Sequence, residues 1–84
     1  MAEGKMEVGK VIHYFPKVSV AIVKLAGDVK IGDTLIFEHG AEMFEQAVTS
    51  MQMNHAPVQA GKAGEEIAIR IDRPAKDGWL VFKA

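Results

Sequence analysis

Cysteine is absent from this 84-residue sequence, which excludes disulfides, thiolate metal ligands and cysteine nucleophiles. Serine occurs only as Ser19 and Ser50, and neither lies in the G-x-S-x-G pattern of a nucleophile elbow. Charge of either sign is not in surplus, because the formal net charge is −1. Domains that grip nucleic acid through its phosphates often carry a basic excess, so RNA contact here would have to rest on a local patch. No apolar run approaches the roughly 18 residues of a membrane-spanning helix. The stretch Met1-Ala2-Glu3-Gly4-Lys5-Met6-Glu7 is mixed in charge and has no signal-peptide core. These absences lead to the expectation of a cytoplasmic chain with no membrane contact.

What is present is an ordinary globular balance, 49% hydrophobic and 25% charged. The length suits one domain, expected over residues 6–84 after a flexible segment 1–5. Its organising stretch is Glu66-Ile67-Ala68-Ile69-Arg70-Ile71-Asp72, which alternates strictly. Three isoleucines point one way and the polar residues the other, the period-two signature of a half-buried strand. Ala60-Gly61-Lys62-Ala63-Gly64 precedes it as a glycine-rich turn. A strand with one apolar face must be covered by the rest of the chain.

Earlier in the chain, Met6–Phe15 and Val18–Leu25 read as an antiparallel hairpin interrupted at Pro16-Lys17. Ala26-Gly27-Asp28 is a turn, Val29–Asp33 a short connection, and Thr34–Glu38 a third strand closed by His39-Gly40. Residues 43–53 change parity: Phe44, Gln46 and Val48 share one face, Met51 and Met53 the other. A strand with a bulge or bend near Thr49-Ser50 accounts for this. The rival is an amphipathic helix through Ala41, Phe44, Val48 and Met51. Arg73–Gly78 is a turn-rich link and Trp79–Phe82 a closing strand. The expected fold is all-β, a small closed antiparallel β-barrel of six to seven strands, since closure removes exposed edges.

Catalytic and metal patterns are weak. Gly4-Lys5-Met6-Glu7-Val8-Gly9-Lys10-Val11 has the G-x-x-x-x-G-K spacing, but Val11 replaces the hydroxyl that would hold Mg²⁺, and a strand pattern follows it instead of a helix. No nucleotide or other cofactor is therefore expected. His13, His39 and His55 lack any local ligand spacing. Glu65 and Glu66 are adjacent, so on a strand they face opposite ways and cannot act as an acid/base pair. No enzyme activity is expected. Met43, Phe44, Met51 and Met53 would form either a partner groove or part of the interior. Trp79 would be either a core plug or a stacking platform for a base.

In order along the chain, Val29-Lys30-Ile31-Gly32-Asp33, Thr49-Ser50-Met51-Gln52-Met53, Ala60–Ile69 and Asp77–Phe82 together resemble the second domain of elongation factor Tu-type translational GTPases. The corresponding family patterns are I-K-V-G-D/E, V-E-M, G-R-A-G-E-N-V-G-V and R-G-x-V-L-A. The likeness runs from about residue 8 to the C-terminus. A shorter link before the last strand resembles stand-alone elongation-factor-like proteins and the C-terminal barrel of collagenase-like peptidases.

The resemblance implies a translation-protein β-barrel, a domain that in translational GTPases helps hold the aminoacyl end of tRNA. At the matching positions this chain has Gln52 for a glutamate, Asn54 for a phenylalanine, His55 for an arginine and Glu66 for an asparagine. Losing an arginine and gaining a carboxylate both disfavour an anionic ligand. The resulting expectation is a non-catalytic adaptor binding tRNA, rRNA or a translation factor. Its candidate surface is Gln52, Asn54, His55 and Glu66, with Lys10, Lys17 and Lys24 as phosphate contacts. The alternative is a protein-interaction module that docks on a separately encoded enzyme, peptidase-like or GTPase.

Overall fold

Pro16 cannot donate to a ladder, and the chain turns where it stands. In the computed structural model, which describes residues 6–83, β1 (Met6–Phe15) and β2 (Val20–Leu25) pair antiparallel across residues 16–19. The second strand starts later than the sequence suggests, because Ser19 takes a positive φ of 56° and ends the turn. Ile12 is the extra residue of a bulge between Val11 and His13. The expected flexible segment 1–5 lies outside the described residues.

The chain continues as β3 (Val29–Lys30), β4 (Thr34–His39), β5 (Glu42–Ala47), β6 (Met51–Met53), β7 (Ala56–Pro57), β8 (Ala60–Gly61), β9 (Glu66–Arg70) and β10 (Leu80–Lys83). The fold is all-β and every described ladder is antiparallel. Eight strands form one sheet in the order β5-β4-β10-β1-β2-β9-β6-β7, and β3 pairs with β8 in a second. The expected count of six or seven strands becomes ten among the described residues, because the links through 29–30, 56–57 and 60–61 each pair for two residues. Such pairs are too short to leave a periodic trace in the sequence.

Residues 43–53 are extended and not helical, and the expected bulge or bend near Thr49-Ser50 is a full break between two strands. They divide into β5 and β6 around residues 48–50, so each half keeps its own inward parity. Val48 spans the break: its N–H donates to the Asp33 carbonyl at 2.9 Å, and its own carbonyl accepts from Gly32 at 2.9 Å. Ile31 N–H donates to the Gln59 carbonyl at 2.9 Å, extending the β3–β8 ladder by one residue.

With no helix among the described residues, the apolar faces of the strands are buried against one another. Val8 and Val11 from β1, Val23 and Leu25 from β2, Leu35 and Phe37 from β4, and Val81 from β10 all enter one buried cluster. Ile67, Ile69 and Ile71 join it with no exposed surface, as their alternation requires. Each contributes about 2 kcal/mol by burial. The glycine-rich turn uses its glycines differently. Gly64 supplies a φ of +92°. Gly61 instead admits close packing: a Cβ there would meet Leu25 Cδ1 at 2.7 Å and Ile67 Cγ1 at 2.8 Å.

Candidate functional site

At one end of the sheet, the β4–β5 turn and the link before β10 stand opposite each other. Three features fix the link. Asp72 N–H donates to Gln46 Oε1 at 2.7 Å, Ala75 is fully buried, and Gly78 N–H donates to the Val11 carbonyl at 2.7 Å. Trp79 is then clamped against β1, its carbonyl accepting from Val11 N–H at 2.8 Å. Between these walls lies a groove of about 650 Å³, lined by His39, Glu42, Met43, Phe44, Arg73, Lys76 and Trp79 among others. That volume suits a small ligand or a short peptide segment.

The groove floor is aromatic. Phe44 stacks on the core residue Phe37 with ring centroids 5.1 Å apart and planes 4° apart. Phe44 also meets Trp79 at 6.0 Å and 53°. His39 covers Trp79 with ring centroids 5.5 Å apart and planes 14° apart. Met43 is 54% exposed at the rim. Arg73 and Lys76 are exposed, and neither has an ion-pair partner among the described residues. The groove thus offers an apolar bed beside two uncommitted cations, with Glu42 on the opposite wall.

The residues expected to bind RNA lie elsewhere and only partly converge. Lys10 stands opposite Lys24, and Lys24 opposite Glu66, across β1, β2 and β9. Lys24 Nζ lies 4.0 Å from Glu66 Oε2, so the carboxylate answers one of the two lysines. Gln52 faces Ala68 on the same outer surface. Asn54 and His55 form the β6–β7 turn, with φ of 54° and 66°. Lys17 does not join them, since it lies in the β1–β2 turn at the far end of that hairpin.

The methionine cluster divides. Met51 is buried in the core and Met53 packs against it, whereas Met43 and Phe44 line the groove. Trp79 is half-buried and acts both as core edge and as groove wall. Sequence reasoning passed over Arg73 and Lys76 because nothing local separates them from solvated lysines and arginines. The one available signal was an aromatic residue opening a strand directly after a turn glycine.

Another electrostatic feature is structural. Lys30 N–H donates to Asp33 Oδ2 at 3.0 Å, Lys30 Nζ to Oδ1 at 3.0 Å, and Lys83 Nζ lies 3.5 Å from Oδ2. Burial pushes the Asp33 carboxyl up, but the Lys30 hydrogen bonds and the Lys83 charge outweigh it and hold the group below its ordinary value. Among the described residues no cluster of His, Asp and Glu is arranged to hold a metal ion. No helix there is long and apolar enough to cross a membrane.

Comparison with known proteins places this architecture. No family model matches the chain. The sequence is 39% identical over 79 residues to an uncharacterized protease of Methanocaldococcus jannaschii, covering 93% of this chain. It is 34% identical over 73 residues to a probable translation initiation factor IF-2 of Methanopyrus kandleri, covering 84% of this chain. The chain spans only 19% of the first relative's length and 12% of the second's.

The structure is similar to the C-terminal domain of a protein from Geobacillus thermoleovorans assigned as a U32 peptidase. The TM-score is 0.86 at 20% identity, covering 92% of this chain and 90% of that one. The selenomethionine variant of that domain gives 0.83 at 19% identity, covering 89% and 95%. At that identity the likeness concerns the fold. It supports the peptidase side of the expected resemblance and adds nothing to the elongation factor Tu side.

Proposed function

We propose that this chain is a non-catalytic interaction module that docks on a peptidase of the U32 type. The observation that carries the reading is the 39% identity extending over 93% of the chain but only a fifth of the archaeal protease. A segment of that proportion accompanies the remainder of its protein, and the Geobacillus structures are those of a C-terminal domain of a protein assigned as a U32 peptidase. The curved all-β scaffold serves as the platform, with the Ile31–Gln59 and Gly32–Val48 main-chain hydrogen bonds extending its β3–β8 and β4–β5 ladders. The aromatic groove is its contact face, because exposed apolar surface rimmed by charge is what partner surfaces require.

Calorimetry with the Methanocaldococcus protease deprived of the matched segment tests this reading. Association with a Kd below about 10 µM is expected. Heats of dilution alone would remove the reading.

A second reading, an adaptor for RNA or the translation machinery, is favoured by the identity to the initiation factor. Its surface would be the Lys10–Lys24–Glu66 row with the Gln52–His55 hairpin. Titration of labelled tRNA and rRNA fragments at low salt tests it, with binding no tighter than that of a neutral control counting against it.

A further inference from the structure

We infer that the groove takes an extended peptide segment, added as a strand along the outer edge of β5, with apolar side chains on Phe44 and Trp79 and carboxylates toward Arg73 and Lys76. The inference rests on the module reading and names the partner chemistry.

The geometry of the lining comes first. Glu42, Met43 and Phe44 are consecutive, yet all three line the groove. Side chains of a strand alternate between its faces, so a cavity touching three in a row runs along the strand's edge. β5 is the terminal strand of the eight-stranded order, and among the described residues it pairs only with β4. Antiparallel pairing on one side leaves alternate N–H and C=O groups directed outward. Strand β7, at the other end of the order, is two residues long and contains Pro57, so it makes a poor template. β5 is six residues long and proline-free, enough for strand addition.

Chemistry then selects the occupant. A stacked base would need an open ring face, but His39 already covers Trp79 at 5.5 Å with near-parallel planes. What remains is the Phe44 and Trp79 ring edges and the Met43 side chain, an apolar surface suited to alternate side chains of an added strand. Arg73 and Lys76 give the link wall two positive charges without intramolecular partners among the described residues. Glu42 stands on the opposite wall, so the carboxylates of an occupant side with the link.

The probe is a fluorescein-labelled peptide alternating Asp with Leu or Phe, followed by fluorescence polarisation against the whole chain. The chain is expected to bind it, and a basic counterpart at least tenfold more weakly. The double variant Arg73→Glu/Lys76→Glu, both positions exposed, is expected to reverse that preference while keeping the parent circular dichroism spectrum. N-methylation of alternate peptide bonds is expected to weaken binding at least tenfold, because strand addition needs main-chain donors. No binding of the acidic peptide, indifference to charge reversal, or indifference to N-methylation overturns the inference. Displacement by single-stranded RNA with unchanged affinity in the double variant overturns it as well. The same double variant is titrated into the truncated protease. If the parent chain binds the protease and the variant binds equally well, the groove assignment fails and the module reading stands. If neither binds the protease while the peptide result holds, the module reading fails instead.

Discussion

Gln46 Oε1 accepts a hydrogen bond from Asp72 N–H at 2.7 Å, joining residues 26 positions apart and fastening the link before β10 to β5. Gln46 is the one buried polar side chain among the described residues, and its amide also donates to the Ala47 carbonyl at 3.0 Å. Truncation leaves the Asp72 N–H without its acceptor and loosens one groove wall. Gln46→Ala is expected to lower unfolding free energy by about 1–3 kcal/mol. Urea denaturation checks this. A change within about 0.3 kcal/mol would show that the bond does not hold the link.

Gly9 marks a close approach between β1 and β2. A Cβ there would lie 2.7 Å from Val23 Cγ1 and 2.8 Å from the Lys24 carbonyl oxygen. The second contact is backbone and cannot rotate away. Gly9→Ala is expected to cost about 2–3 kcal/mol, read as a fall in the thermal midpoint. An unchanged midpoint would contradict the register of this hairpin.

Asp33 couples stability to acid. Its folded pKa lies below the ordinary value of 3.8, so its contribution is complete above that value and is lost as pH falls through the folded pKa. Asp33→Asn is expected to be less stable than the parent at about pH 7 and to approach it as the solution is acidified. Unfolding curves across this range check the sign. A constant difference at every pH would refute it.

His55 follows Asn54 in a two-residue turn where both take positive φ. Asn-Gly is the favoured sequence for such a turn. His55→Gly is therefore expected to stabilise the chain by about 0.5–1 kcal/mol. Chemical denaturation measures this. Destabilisation would mean that the imidazole holds a contact of its own.

How much the sequence revealed depended on whether a signal was local. Ile67, Ile69 and Ile71 declared an inward face because alternation spans adjacent residues, and the Pro16 hairpin was equally plain. The parity change between Val48 and Met51 was visible, but a break between two strands and a bulge within one strand both produce it. The groove was not legible. Its walls, Glu42–Phe44 and Arg73–Trp79, are distant in sequence and are brought together by the Gln46–Asp72 bond, the buried Ala75 and the Phe44–Trp79 ring contact. The lysine positions suggested a positive surface, but β-sheet register set Glu66 against Lys24 and left Lys17 at the far end of the hairpin.

The aromatic groove is the face proposed to meet a peptidase. Amide and indole NMR spectra of the isotopically labelled chain, titrated with the unlabelled Methanocaldococcus protease lacking the matched segment, address it directly. Trp79 is the only tryptophan, so its indole signal is unambiguous. Shifts or broadening at Trp79 and across residues 39–44 and 73–79 are expected. An unperturbed indole signal, or changes confined to Lys10, Lys24, Glu66 and the Gln52–His55 hairpin, would contradict the account.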